Sequence, residues 1–132
     1  MSMQVELVSP ERILFSGEAD MVQARTIGGG DIAFLTGHTP FIGALAIDQV
    51  VIRLTDGSVE TAAVHGGFVS VNENRVKILS DLAEMKSQID GARARRAADA
   101  AASAARQGED SEAEAGLARA NARLKALGEV GA

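Results

Sequence analysis

Apolar and polar residues alternate over short stretches in the first two-thirds of the chain. Val5 and Leu7 alternate with Gln4, Glu6 and Val8, Val69 and Val71 flank Ser70, and Val76 and Ile78 interleave with Arg75 and Lys77. A period of two places each apolar set on one face of a strand. Turn signals recur between these runs: Ser9-Pro10, Ser16-Gly17, Gly28-Gly29-Gly30, Thr36-Gly37, Asp56-Gly57, Gly66-Gly67 and Asn72-Glu73-Asn74. Asp56-Gly57, between Val50-Val51-Ile52 and Val59, predicts a tight hairpin. Many short strands at such spacing predict an antiparallel β-sandwich or barrel rather than a parallel sheet.

The pattern changes near Met85. Residues 87–132 read as two helices. Ser87 is positioned to cap the first, with Asp90 in its opening turn, where a negative charge meets the positive end of the helix dipole. That helix is expected from about Gln88 to Arg106, broken by Gln107-Gly108-Glu109-Asp110. Ser111-Glu112-Ala113-Glu114 has the form of a capping box for the second. Along it, Ala113, Leu117, Ala120, Leu124 and Leu127 recur at steps of four and three and form one stripe. A short link makes the two helices antiparallel neighbours. The expected fold class is α+β: a sandwich over residues 1–86 and a helical hairpin over residues 87–132.

Composition supports this division. Residues 1–86 hold all four Phe and ten of the eleven Val, which suit a pleated surface. Residues 87–132 hold sixteen of the twenty-four Ala, the strongest helix former. Alanine permits close approach but buries little area, so the hairpin is expected to sit loosely on the sandwich. Charge narrows the function. A net charge of −5 and the absence of Tyr and Trp argue against a nucleic-acid surface. Without cysteine there is no disulfide framework or thiolate site. No apolar run approaches the ~20 residues that span a bilayer, and the N-terminus lacks a secretion signal, so a soluble, cytoplasmic chain is expected.

The glycine-rich stretch GGGDIAFLTGHTPFIGAL, residues 28–45, has the look of a phosphate loop. That chemistry needs a lysine beside the glycines, yet the lysines are Lys77, Lys86 and Lys125. The stretch also leads into a strand pattern, not a helix, so it reads as a turn requiring positive φ. His38 and His65 match no metal-binding spacing, and no Gly-x-Ser-x-Gly elbow is present. Both histidines read as structural or interface residues, and a stand-alone enzyme is not expected. Arg93, Arg95, Arg96, Arg119 and Arg123 are either a solvated face or an anion site. In antiparallel helices Arg119 and Arg123 fall near Asp90 and Arg93, where converging guanidinium groups suit a polyphosphate.

The run from Gly30 to Ile42, GDIAFLTGHTPFI, resembles a signature of the epsilon subunit of bacterial rotary ATP synthases. GGFVSVNENRVKILSDL, residues 66–82, is similar to the family's second signature, and Ser9-Pro10-Glu11 and Phe15-Ser16-Gly17 fit its N-terminus. Ala33 and Thr36 depart from the common Gly and Pro. The resemblance implies a non-catalytic rotor subunit at the cytoplasmic face of the bacterial inner membrane, without a span of its own. It implies docking on the gamma subunit and the membrane rotor ring, and coupling of proton-driven rotation to ATP synthesis. Asp31 becomes a candidate rotor-ring contact; His38, Thr39, Pro40, Phe41 and Ile42 become a candidate gamma contact.

For the hairpin, the resemblance implies two positions, folded on the sandwich or extended into the alpha/beta catalytic head, where it obstructs hydrolysis. Arg93, Arg95, Arg96, Arg106, Arg119 and Arg123 are candidate contacts to that head. No cofactor is required, but some members bind regulatory ATP through an Ile/Leu-Asp-x-x-Arg-Ala motif. Ile89-Asp90-Gly91-Ala92-Arg93-Ala94 matches it, and Glu84, Arg119 and Arg123 fall where that site draws further contacts. Ala100 replaces an Arg found in an ATP-binding member. The alternatives are a stand-alone ATP-sensing module and an unrelated hydrolase dependent on His38 or His65.

Overall fold

A computed structural model of the chain describes residues 2–106 and 111–128. Seven strands come first: β1 Met3–Val8, β2 Ile13–Thr26, β3 Gly30–Leu35, β4 Phe41–Leu54, β5 Val59–Asn72, β6 Arg75–Leu79 and β7 Ala83–Met85. A 3-10 turn, Lys86–Gln88, leads to helices α1 (Gly91–Arg106) and α2 (Ser111–Ala126). The sheet order is β1-β6-β5-β4-β2-β3, and β1 also pairs with β2, which closes a flattened barrel. The expected α+β class holds, with one departure in the sheet. β1 and β6 run parallel, with Val5 opposite Val76, while every other pairing among the described residues is antiparallel. Closing the barrel places the first strand beside the sixth, and their directions then coincide.

β2, β4 and β5 are each 14 residues long and serve both layers. β2 pairs with β1 over its first half and with β3 and β4 over its second. Each long strand must therefore change which parity of residue faces the core. In β5 the residues facing the barrel core are Ala62 and Val64 before Gly66-Gly67, and Val69 and Val71 after, while Ala63 is buried on the other face beneath α2. The change of facing falls at Gly66 and Gly67, with φ of +85° and +124°, while the pairing with β4 keeps its register across them. A Cβ on Gly67 would lie 2.1 Å from the Leu79 carbonyl oxygen. The core so enclosed contains Met3, Leu7, Val22, Phe34, Ile52 and Ile78, all fully buried.

Tight turns explain most of the punctuation. The triple glycine closes the β2–β3 hairpin, in which Thr26 opposes Gly30 and Gly28 and Gly30 take positive φ. The Asp56-Gly57 hairpin uses a four-residue connection: Leu54 N donates to Ser58 O, and Asp56 Oδ1 accepts from Ser58 N. Glu73 and Asn74 both take positive φ between Asn72 and Arg75, as a two-residue hairpin turn demands.

The start of the first helix differs from the expected one. Ser87 lies in the 3-10 turn, Ile89 is extended, and α1 begins at Gly91. Asp90 takes the capping role, its Oδ1 accepting from Arg93 N at 3.1 Å and its carbonyl from Ala94 N. The shift places Ile89 against the sheet instead of inside the helix. The expected break at residues 107–110 lies outside the described residues, as do the side chains of Ser111 and Glu112 in the expected capping box. In α2 the stripe is realised: Leu117, Ala120 and Leu124 pack on Ala94 and Ala98 of α1. Another side of α2, Ala122 and Ala126, packs on Ala63, Ile47 and Ile89. α2 is thus the layer between α1 and the sheet.

The kink in β5 is testable. Gly67→Ala adds a clash to an unfavourable φ and is expected to destabilise the chain by more than about 2 kcal/mol in urea unfolding. Gly28→Ala, at φ +82° in open space, should cost only ~1 kcal/mol.

Candidate functional site

The hairpin meets the sandwich at a polar cluster beside its alanine seat. Glu84 stands on β7, opposite Ala63 of β5. Its Oε1 accepts from Arg123 Nε of α2 at 2.5 Å and lies 3.2 Å from His65 Nε2 of β5. An ionised carboxylate only accepts, so Nε2 carries the His65 proton. The His65 side chain is 2% exposed, and its Nδ1 has no partner among the described residues. Burial lowers the His65 pKa, opposed by the Glu84 hydrogen bond and reinforced by the charges of Arg123 and Arg119. For Glu84, burial pushes upward, but hydrogen bonds from Arg123 and His65 outweigh it and hold the carboxyl below its ordinary value. Two further ties fasten the end of α2: Thr61 Oγ1 donates to the Ala126 carbonyl, and Lys125 Nζ lies 3.2 Å from Asp48 Oδ1.

Above this cluster opens a cleft of about 260 Å³, lined by Glu84, Gln88, Asp90, Arg93, Ala94, Ala97 and Arg123. Four of the six expected anion-site residues therefore converge: Glu84, Asp90, Arg93 and Arg123. Ile89 does not line the cleft, because the extended backbone before α1 turns it under α2. Arg119 does not line it either, although its charge reaches His65. Sequence reasoning missed His65 and Gln88 here. Gln88 Oε1 accepts from Met85 N and fixes the 3-10 turn. The two guanidinium groups on the cleft wall face two carboxylates, so an entering anion must compete with Glu84 for Arg123.

The expected partner-facing residues stand elsewhere. Asp31, the second residue of β3, stands opposite Arg25, with Arg25 Nη1 3.8 Å from Asp31 Oδ2. His38 follows the far end of β3, so the two candidate contacts are not brought together. The His38 ring packs edge-on to Phe34 at 5.0 Å, and its Nδ1 lies 2.6 Å from the Thr39 carbonyl oxygen. Thr39 and Pro40 are exposed. Phe41 turns inward, over Gly43, to contact Phe34. Ile42, the next residue along the strand, points out and is 78% exposed. Across the same outer face, Ser70 opposes Ile42, while Phe68 (58% exposed) opposes Leu79 (46%). A cleft of about 420 Å³ borders Phe68 and Leu79. No helix among the described residues is long and apolar enough to cross a membrane.

Residues 2–86 match the family model for the ATP synthase, Delta/Epsilon chain, beta-sandwich domain. The ATP synthase epsilon chain of Streptomyces griseus is 42% identical over 125 residues, covering 95% of this chain and 94% of that one. The chain belongs to the ATP synthase epsilon-chain family. The Thermobifida fusca epsilon chain is 45% identical over 125 residues, covering 92% of this chain and 89% of its own. Among solved structures, a chain of the Euglena gracilis mitochondrial ATP synthase OSCP/F1/c-ring assembly superposes with a TM-score of 0.80. It is 21% identical, over 95% of this chain and 80% of that one, and so attests the fold. Members of the epsilon-chain family are non-catalytic subunits of the synthase, in line with the sequence expectation.

Acidification should loosen the hairpin. His65 is depressed, so its contribution is complete above its ordinary value of 6.5 and shrinks as pH falls below it. Glu84 is depressed too, so its contribution is complete above 4.5 and is lost as pH falls through its folded value. Hydrogen exchange of α2 amides should therefore rise relative to the sandwich as pH falls below about 6.5, after correction for intrinsic rates. Arg123→Ala should weaken docking by about 1–3 kcal/mol and raise the His65 pKa in an NMR imidazole titration.

Proposed function

We propose that the chain is a central-stalk subunit of the rotor, docking on the gamma subunit and the membrane rotor ring and coupling proton-driven rotation to ATP synthesis. The observation that carries this reading is the outward strip of Ile42, Phe68 and Leu79 on a member of the epsilon-chain family. Exposed apolar side chains that line up across adjacent strands call for a covering surface. The gamma subunit is the cover proposed here, with His38–Ile42 at its edge and Asp31 turned to the polar loops of the ring. This places the chain peripherally, at the cytoplasmic face of the bacterial membrane.

The hairpin is the regulatory part of the proposal. Its seat of alanines yields only ~0.8 kcal/mol per buried methyl-sized group, and its polar ties are few. Release would carry the arginines of α1 and α2 toward the catalytic head and obstruct hydrolysis. Regulatory ATP is the proposed ligand of the cleft, through Arg93 and Arg123, with Asp90 and Glu84 shaping it. The cleft lies below the ~300 Å³ of an ordinary drug-sized pocket, so its walls fit a phosphate group better than a whole nucleotide. ATP bound there favours the folded hairpin only by its differential affinity for the two positions.

Reconstitution tests the parts separately. Ile42→Asp is expected to weaken binding to gamma about tenfold or more, while Val59→Asp, at an exposed apolar position at the start of β5, leaves it unchanged. Equal losses in both would refute the assigned surface. Removing residues 88–132 should raise hydrolysis more than synthesis. Millimolar ATP should protect hairpin amides from exchange, and Arg93→Ala should reduce that protection; unchanged exchange with ATP eliminates nucleotide sensing.

A further inference from the structure

Arg25 of β2 lies between two carboxylates on neighbouring strands. Its Nη1 is 3.8 Å from Asp31 Oδ2 on β3, and its Nε is 3.9 Å from Asp48 Oδ2 on β4. Asp48 also receives Lys125 Nζ of α2, at 3.2 and 3.3 Å from its two oxygens. Four charges of alternating sign therefore run from the outer edge of the sheet to the last turn of the hairpin. Asp31, Arg25 and Lys125 are about half exposed, whereas the Asp48 side chain is only 12% exposed. The junction of the chain is thus its most desolvated member, where Coulomb forces are least screened.

The fold builds this junction by a local mismatch between strands. Gln23 opposes Val51 and Thr26 opposes Leu45, so residues 24–25 of β2 face residues 46–50 of β4. The surplus on β4 interrupts the ladder, and Asp48 sits within it, opposite Val64 of β5 and accepting from Gln49 N. α2 packs over this part of β4 through Ala122 and Ala126 against Ile47.

We infer that Arg25 and Asp48 couple the charge at Asp31 to the seating of α2. Asp48 attracts Lys125, and Arg25 opposes that attraction. Asp31 shares the Arg25 guanidinium and so draws it off Asp48. Neutralising Asp31 releases the Arg25 guanidinium to turn fully onto Asp48, where it competes with Lys125 and weakens the hold on α2. Removing Arg25 has the opposite sign. A partner that brings a cation against Asp31 therefore loosens the end of the hairpin without touching it. The rotor reading supplies only the identity of that partner; the electrostatic link belongs to the isolated chain.

Hydrogen exchange on the intact chain at low ionic strength tests this. Ion pairs of this exposure shift equilibria about two- to fivefold. Asp31→Asn should speed exchange of the amides around Arg123–Leu127 about twofold relative to wild type, and Asp31→Lys by more. Arg25→Gln should slow the same amides, a gain that faulty folding cannot mimic. In the Arg25→Gln background Asp31→Asn should act much more weakly, only through its direct attraction for Lys125, and about 0.5 M salt should erase the differences. β6 amides serve as the internal control. Unchanged α2 exchange in Asp31→Lys, an equal Asp31→Asn effect with and without Arg25, or parallel changes in β6 each overturn the coupling. None of these results bears on gamma binding by the Ile42 face, so failure here and failure of the rotor reading are distinguishable.

Discussion

The contact between α2 and the β4–β5 face decides what the molecule can do. It is made of small apolar groups, Ala63, Ala122 and Ala126, ringed by Ile47 and Ile89. Such a seat excludes water but contributes little area, so each polar tie around it matters more than in a large core. Arg123 on Glu84, Lys125 on Asp48 and Thr61 on the Ala126 carbonyl are those ties. Two of the three involve charges on the sandwich that have other partners as well: Glu84 is shared with His65, and Asp48 with Arg25. The hold on the helix is consequently sensitive to pH and to nearby charge, in a way that leucine packing would not be.

The sandwich obeys different physics. Its core is continuous from β1 to β6, and its long strands stay in both layers by slipping parity at built-in irregularities. The Gly66-Gly67 kink is the most constrained of these, since no side chain fits between Gly67 and the Leu79 carbonyl. A barrel closed by a parallel β1–β6 pair cannot lose one strand without opening the rest. The chain therefore divides into a body that resists deformation and a hairpin whose attachment is modest.

Much of this division was legible in the chain itself. Period-two alternation located β1, the second half of β5 and β6, and the shift from valine to alanine separated sheet from helices. The glycine triplet was readable as a turn because no lysine stood near it. The start of α1 was not readable, since Ser87 and Asp90 are both good caps three residues apart; tertiary packing decided between them by drawing Ile89 onto the sheet. The parallel pairing of β1 with β6 was also hidden, because alternation reports faces but not neighbours. In the site, the motif around Asp90 and Arg93 was visible as sequence. His65 was not, because its link to Glu84 depends on β7 pairing back onto β5 across a short connection.

A shared carboxylate has a further consequence for how the seating of the hairpin is controlled. If Glu84 and Asp48 each served one partner, the hairpin would respond only to events on itself. Because each carboxylate balances a group on the sandwich against a group on α2, a change on either side alters the other by the same free energy. An anion that draws Arg123 away frees Glu84 to hold His65, and a proton on His65 reduces the free charge that Glu84 offers Arg123. The two junctions lie at opposite flanks of α2, with Arg123 toward β7 and Lys125 toward β4. Loss of one leaves the other as a pivot, so weakening at a single flank favours tilting of α2 before its release. On the proposed release, a hairpin fastened in this way passes through intermediate positions, which a single deep apolar socket would not provide.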